Sequence, residues 1–316
     1  SLAIITGSTG LVGSEAVNFF HDKGFDVIGI DNNLRKLFFG KNGSTIWLKS
    51  KLIQRNKNFK NYNIDIRNSN NLEKIFRKYS KRISVIIHCA AQPSHDYGKN
   101  YPFLDFNVNA TGTLNLLESL KTYKTNKFCS VVLITSDKSY KNLELKRGYR
   151  ENDILGGTDP YSASKACAEL IIQSYCNSFI KTKKNIRISV ARAGNVIGGG
   201  DWSDDRLIPD CIKSIKNKKK LILRFPNSTR PWQHVLEVLY GYMLLAINQK
   251  KNLKFNNSIF NFGPNNKYSI TVLDIVKKIN HKWNNLNWKI VKPKKEMYES
   301  KLLRLNSHKA HKILKW

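Results

Sequence analysis

Gly7-Ser8-Thr9-Gly10-Leu11-Val12-Gly13 follows directly on the apolar run Leu2 to Thr6 and opens an amphipathic stretch from Val12 to Lys23. Read as strand end, tight turn and helix start, this heptad lets backbone approach a pyrophosphate whose charge sits at the positive end of the helix. A GxxGxxG spacing alone is a weak signal, because a glycine-rich turn also serves merely to pack a helix on a strand. Its surroundings strengthen it. The next β-branched run, Asp26 to Ile30, ends at Asp31, where a carboxylate accepts hydrogen bonds from an adenosine ribose. An acid there repels a 2′-phosphate, so NAD is favoured over NADP.

The alternation continues outward. Ile83 to Cys89 precedes Phe103 to Thr122, Ser130 to Thr135 precedes Ser162 to Ile180, and Ile186 to Ala191 follows. Strands that are apolar nearly throughout, alternating with helical stretches, predict an α/β protein with a doubly wound parallel sheet buried on both faces. After Ala191 the rhythm breaks at Gly198-Gly199-Gly200-Asp201-Trp202, before a helix-like stretch from Asp205 and a strand-like run from Leu221 to Phe225. The expected organisation is a dinucleotide-binding domain over 1–192, with a return at 235–265 through a helix from Val235 to Asn248 and a strand from Ile259 to Phe262. Residues 193–234 and 266–316 are expected to form a smaller C-terminal α/β substrate domain. No internal repeat or low-complexity linker is evident.

Composition narrows the class. The 316 residues carry a net charge of +31, which would ordinarily suggest a nucleic-acid partner. The lysines are scattered among asparagines and isoleucines, as in Lys216-Asn217-Lys218-Lys219-Lys220, with no aromatic-interleaved basic stripe and no zinc-finger spacing. Binding to nucleic acid is therefore not expected, whereas an anionic small substrate is compatible. Five widely spaced cysteines, Cys89, Cys129, Cys167, Cys176 and Cys211, form no CxxC pair and suit a reducing cytoplasm; no metal site is expected. No apolar run approaches the roughly 20 residues that cross a bilayer. The sequence starts at Ser1 without a methionine, which suggests trimmed ends.

Candidate reacting groups stand at strand ends. Tyr161-Ser162-Ala163-Ser164-Lys165 begins a helix, so Tyr161 and Lys165 lie on one face about a turn apart. A phenol is a poor base near neutrality, and a nearby ammonium together with a nicotinamide ring favours its phenolate. YxxxK also occurs by chance, as an exposed tyrosine with a solvated lysine. What raises this one is Thr135-Ser136-Asp137-Lys138 at the C-terminal end of a buried strand, where open α/β sheets place their ligands. Ser136 is placed to hydrogen-bond the reacting hydroxyl; Asp137 and Lys138 read either as acid/base partners or as a surface ion pair. Asp65-Ile66 reads either as a contact to the adenine edge or as a turn cap, and Ala90-Ala91-Gln92 is small enough for backbone to pass along the cofactor.

These residues together, the GxxGxxG heptad with Asp31, Ser136 and Tyr161xxxLys165, resemble the extended short-chain dehydrogenase/reductase superfamily over nearly the whole chain. That resemblance implies a Rossmann-type sheet, bound NAD and a homodimer or higher homo-oligomer packed through the helices 103–122 and 162–180. It also implies cofactor contacts from Gly7, Thr9, Gly10, Leu11, Val12 and Gly13, and from Asn109, Tyr161 and Lys165. From about residue 130 onward, TSDKSY at Thr135, GYRENDILGGTDPYSASKACAEL at Gly148, ARAGNVIGGGDWSDDRLIPD at Ala191 and RPWQHV at Arg230 are similar to CDP-glucose 4,6-dehydratases. The N-terminal part, with Ile28 to Arg35, Phe38-Phe39-Gly40 and Ala91-Gln92-Pro93-Ser94-His95-Asp96, looks more like CDP-paratose or tyvelose 2-epimerases. The chain reads as a mosaic with a crossover between Asn109 and Thr135.

The dehydratase resemblance implies that Tyr161 takes the proton of a glucose 4-hydroxyl, Lys138 acts on C5 and protonated Asp137 serves the departing 6-hydroxyl. It also implies that Asn195, Arg206 and Arg230 hold the substrate diphosphate while Trp232 and His234 wall or steer the same site. Each has a structural reading too, Trp232 as core and His234 as a satisfied structural residue. Relatives usually continue beyond Leu314-Lys315-Trp316, so an incomplete substrate domain is expected. A nucleotide-sugar epimerase shares the oxidation and differs in the next step; a dinucleotide-binding regulator has no need of Ser136, Asp137, Tyr161 and Lys165.

Overall fold

The computed structural model describes residues 1–125, 127–265, 270–292 and 301–316, so the expected segment 266–316 lies partly outside the described residues. The central sheet is built from β1 (Leu2–Thr6), β2 (Asp26–Ile30), β3 (Phe59–Tyr62), β4 (Ile83–His88), β5 (Cys129–Ser136) and β6 (Ile186–Ala193). Two short strands, β7 (Val196–Ile197) and β8 (Leu221–Leu223), and then β9 (Gln233–His234) intervene before β10 (Ser258–Phe262) rejoins that sheet beside β6. A last strand, β11 (Trp288–Ile290), pairs with β8. The seven strands run parallel in the order β3-β2-β1-β4-β5-β6-β10. The order reverses between β1 and β4, where open sheets of this kind hold ligands beyond the strand ends.

Period-2 alternation explains why the strands are apolar throughout. Leu2 and Ile4 enter one core with Ile28, Ile86 and Val131, whereas Ala3 and Ile5 enter the other with Val27, Val85 and Val132. The first core is covered by α4 (Ser69–Tyr79), α7 (Gly112–Thr122) and α8 (Pro160–Tyr175), the second by α1 (Leu11–Asp22), α3 (Ile46–Arg55) and α10 (Val235–Lys251). A separate small core around Cys211, Leu221, Leu223 and Val276 joins α9 (Leu207–Lys216), α11 (Val272–Trp283) and β8. Three short helices, α2 (Arg35–Phe39), α5 (His95–Asn100) and α6 (Pro102–Asp105), lie on connections at the cleft end.

The expected helix from Phe103 to Thr122 is interrupted: α6 passes through a wider π-type turn, Phe106–Thr111, before α7. The expected helix from Ser162 to Ile180 starts earlier and ends in a similar turn, Cys176–Ile180. Its start is set by Asp159, whose carboxylate accepts from Ser162 N at 3.0 Å, with Pro160 in the first turn. Among the helices that the pattern does not show are α3, α4 and α11, where lysines and asparagines dilute the apolar positions. In α4 the buried set is only Leu72, Ile75 and Phe76, behind an Asn68 cap. Among the described residues no helix is long and apolar enough to cross a membrane.

Candidate active site

The heptad turns as its glycines require. Gly7 has a φ of +65°, and a Cβ there would lie 2.8 Å from Ala90 N; a Cβ on Gly13 would meet the Gly7 carbonyl oxygen at 2.0 Å. No side chain fits either place, so the β1–α1 turn keeps a bare backbone face toward the cleft. Asp31 closes the far side of the turn. Its Oδ2 accepts from Thr9 N at 3.0 Å and its Oδ1 from Asn33 N at 2.8 Å, which leaves lone pairs on both oxygens for a ribose diol. The glycine cradle with a carboxylate beside it fits an adenosine diphosphate moiety.

Around this turn the expected contacts divide. Leu11, Val12, Gly10, Ile66, Ala90 and Ala91 line the cleft. Asp65 lines it as well and is also the turn cap, accepting from Arg67 N at 2.9 Å. Burial pushes its carboxyl up, but hydrogen bonds from Arg67 and Asn32 prevail and hold it below the usual range. Three expectations need correction at side-chain level. Thr9 turns inward, its hydroxyl 2.6 Å from that of Thr45 and its backbone N–H donated to Asp31. Gln92 and Asn109 face the protein: Gln92 N donates to Asn109 Oδ1 at 2.8 Å, and Asn109 Nδ2 donates to Ser164 Oγ at 2.9 Å. Ser164 Oγ donates in turn to Tyr161 O at 2.7 Å, so the two amides brace the β4 end against α8.

The reacting groups meet in the same cleft, a cavity of about 830 Å³ that also takes in Ser136, Asp137, Lys138 and Tyr161. This volume suits a nucleotide sugar beside a dinucleotide's reactive end. Ser136 Oγ donates to Asp137 Oδ1 at 3.0 Å, while Asp137 Oδ2 is buried and has no hydrogen-bond partner among the described residues. Burial pushes the Asp137 carboxyl up, against the opposing charges of Lys138 and Arg230 and the Ser136 hydrogen bond, a shift toward the protonated acid. Lys165 Nζ lies 5.8 Å from the Tyr161 ring centroid, as the four-residue spacing requires. Burial lowers Lys165 to about 8, with Asp105 and Glu169 opposing.

The expected lowering of Tyr161 is reversed in the protein alone: burial pushes the phenol up to about 12, and the Arg206 charge opposes without prevailing. A half-buried phenol loses hydration before any cofactor charge arrives to replace it.

On the substrate side, Asn195, Arg206, Arg230 and Trp232 all line the cleft. Arg206 is partly engaged, donating to Pro93 O at 3.2 Å and lying 3.4 Å from Asp201 Oδ2. Buried Arg230 donates to Thr229 O at 2.7 Å. The indole N–H of Trp232 is buried and has no acceptor among the described residues. His234 is corrected: it is exposed and caps α10, accepting from Leu236 N at 3.3 Å, outside the cleft.

Several contributors were not legible. His95, the first residue of α5, lines the cleft with its ring edge-on to Tyr161, the centroids 6.2 Å apart. Arg35 reaches across to Asp201 at 2.9 Å, tying the connection after β2 to the Gly198–Gly200 loop. Beneath the strand ends, Arg192 and Glu169 form a fully buried pair with Thr135 and Tyr140. Both lay inside quoted motifs, but their partnership is visible only in three dimensions.

The chain is 36% identical to the CDP-glucose 4,6-dehydratase of Salmonella typhimurium over 99% of its own length and 84% of that protein's. It is 27% identical to the CDP-paratose 2-epimerase of Salmonella typhi, over 87% of this chain and 82% of the relative. Similarity to the dehydratase thus runs through the N-terminal half, where the epimerase-like motifs stand. The dTDP-glucose 4,6-dehydratase of Bacillus anthracis, described in complex with NAD, superposes with a TM-score of 0.79 at 23% identity. That match covers 100% of this chain and 90% of the other, and shows a shared fold. The family model described as GDP-mannose 4,6 dehydratase matches residues 4–316. With that match spanning the heptad, the strand-end acid and the Tyr161–Lys165 helix alike, the chain belongs to the GDP-mannose 4,6 dehydratase family.

Proposed function

We propose that the chain is an NAD-dependent CDP-glucose 4,6-dehydratase, converting CDP-glucose to CDP-4-keto-6-deoxyglucose. The observation that carries this reading is the buried, half-unpartnered carboxyl of Asp137, set beside Lys138 and Tyr161 in one cleft. Gly7, Gly10, Gly13 and Asp31 would hold NAD, with Tyr161 and Lys165 at its reactive end. Bound NAD supplies the two-electron oxidant for C4 and, once reduced, the reductant for C6. Tyr161 takes the O4 proton, its phenolate favoured by the Lys165 ammonium and by ligand charge, while Ser136 holds O4 in line. The C4 ketone acidifies C5. Lys138 takes the C5 proton, the electron pair becomes the C5–C6 double bond, and Asp137 gives its proton to O6 as water leaves.

A nucleotide-sugar 2-epimerase is the second reading, favoured by the Salmonella typhi relative. Epimerisation breaks no C–O bond and has no use for a carboxyl kept protonated, so Asp137 supports dehydration. The apolar side chains Phe103, Leu170 and Phe179, exposed on the α6–α8 side, suit a homodimer packed there, and free cysteines suit a cytoplasmic enzyme. Incubation with CDP-glucose should yield a 4-keto-6-deoxy product that absorbs in alkali. Tyr161→Phe should lower turnover by about 10²- to 10⁴-fold while NAD stays bound. Recovery of an epimer without loss of water overturns the dehydratase reading.

A further inference from the structure

The cleft holds one imidazole among its described lining residues, and the proposed steps give it no part. His95 begins α5 directly after Ser94, whose hydroxyl accepts from Tyr97 N at 3.1 Å. The Gln92 side chain clamps Ser94 by donating to its carbonyl at 2.8 Å. Gln92 is itself fixed through Asn109 and Ser164 to the Tyr161 carbonyl. A chain of buried amides thus sets His95 against the helix that carries the phenol. Gly98 serves the same end: a Cβ there would come 2.0 Å from Asp105 Oδ2, so only glycine lets α5 pack this closely on α6.

The charges facing the ring come from every neighbouring element. His95 Nε2 lies 3.4 Å from Asp159 Oδ1 at the cap of α8, and Nδ1 lies 3.8 Å from Asp96 Oδ1 on its own helix. Tyr161 meets the ring edge, Lys138 adds an opposing positive charge from the β5 end, and Asp105 on α6 is a further carboxyl within electrostatic reach. Asp159 cannot swing away, because Ser162 N and Ser162 Oγ hold its two oxygens at 3.0 and 2.7 Å. His95 lines the cleft with its side chain about a third exposed, and its Nδ1, at 3.8 Å from Asp96 Oδ1, lies beyond hydrogen-bond length of that carboxylate, which leaves this N–H to a ligand.

We propose that His95 is a catalytic residue of the sugar pocket, a cationic donor that hydrogen-bonds a hexose oxygen and stabilises negative charge on Tyr161 and on the enolate formed at C4–C5. This role rests on the dehydratase reading and deepens it. Asp137 gives up its proton and Lys138 receives one, whereas His95 keeps its proton throughout and acts by position and charge. The carboxylates of Asp159 and then Asp96 push the imidazole up to about 9 against burial and the Lys138 charge, so the donor form persists across neutral pH and is lost above it.

The holoenzyme is assayed with CDP-glucose over pH 6 to 10 as wild type, as His95→Gln and as His95→Phe, the last keeping an aromatic ring against Tyr161. The expected result is a fall in kcat of about 100-fold for His95→Phe, less for His95→Gln, with bound NAD unchanged. The alkaline limb near pH 9 should appear in the wild type and vanish in His95→Gln. Equal kcat within twofold and an unaltered pH profile in both variants overturn the proposal. Wild-type protein loaded with NADH gives a measurement that no folding defect touches: CDP-glucose should shift the His95 imidazole nitrogen resonances and raise their titration midpoint. Unmoved resonances at saturating CDP-glucose overturn the proposal. If the wild type turns over a different nucleotide hexose and ignores CDP-glucose, the substrate reading fails, and the same His95 comparison is run on that hexose.

Discussion

Two buried carboxylates stand at the same end of the sheet and have opposite surroundings. Glu169 on α8 is fully buried, receives Arg192 Nε at 2.8 Å and Thr135 Oγ1 at 2.7 Å, and shares Arg192 with Tyr140. Asp137 at the end of β5 is almost as buried, yet one of its oxygens has no hydrogen-bond partner among the described residues. A saturated pair of this kind gains nothing from changing its protonation and everything from keeping its geometry. An unsaturated carboxyl costs the fold desolvation, and the return on that cost is a proton available at the cleft. Glu169 binds β5, β6 and α8 into one block; Asp137 works on the surface of that block.

The largest effect that separates them is in the variants Glu169→Gln and Asp137→Asn. Removing the Glu169 charge leaves Arg192 buried without its counter-ion, and the expected loss is about 3–5 kcal/mol of unfolding free energy. Asp137→Asn removes a desolvated carboxyl and should leave stability unchanged or slightly raised while lowering turnover by about 10²-fold or more. Denaturant midpoints and kcat, measured on both proteins, test the division; a stability loss in Asp137→Asn comparable to that of Glu169→Gln would erase it.

A third carboxyl sharpens the comparison. Asp105 is fully buried with no hydrogen-bond partner on either oxygen among the described residues. Burial, helped by the Asp159 charge, pushes it up to about 6, and Lys165 and His95 oppose. A carboxyl that binds its proton more tightly folded than unfolded contributes stability at acid pH and loses it as pH rises from about 4 through about 6. Relative to Asp105→Asn, the wild type should therefore lose stability across that window and run parallel to the variant above it. Parallel curves from pH 4 to 7 would mean that Asp105 is paired or hydrated in solution.

How far the sequence could be read follows from the range of each interaction. The heptad and Asp31 were legible because their geometry is local: glycine spacing and a strand end determine where the backbone turns. Tyr161 and Lys165 were legible because one helix carries both. Gln92 is expected at the cofactor because it follows the β4 end, and Asn109 only because the family resemblance implies it; a polar side chain in either place has two directions open to it. Ser164, on a distant helix, decides in favour of the interior. His95 went unread as a site residue for the same reason, since what gives it charge and place is Asp159, whose own position depends on α8 reaching the β4 end. The alternation of the strands disclosed the sheet, but the π-type turns after α6 and α8 leave no mark on hydrophobic period.

His234 provides the smallest effect and the cleanest contrast with His95. Both follow a strand end and open a helix, and both occur in quoted motifs, yet His234 is exposed and its ring accepts from Leu236 N, a weak cap on α10. Loss of such a cap costs about 1 kcal/mol or less. His234→Ala should therefore lower the thermal midpoint by a few degrees at most and leave kcat, KM for CDP-glucose and the pH profile as they are. A rise in KM with unchanged kcat would place His234 in uniform substrate binding after all and would require the Arg230–His234 segment to turn toward the cleft when ligand binds. An unchanged KM leaves the sugar pocket with the histidine that lines it, because a ring committed to a helix end at 3.3 Å from its donor is not free to serve the cleft as well.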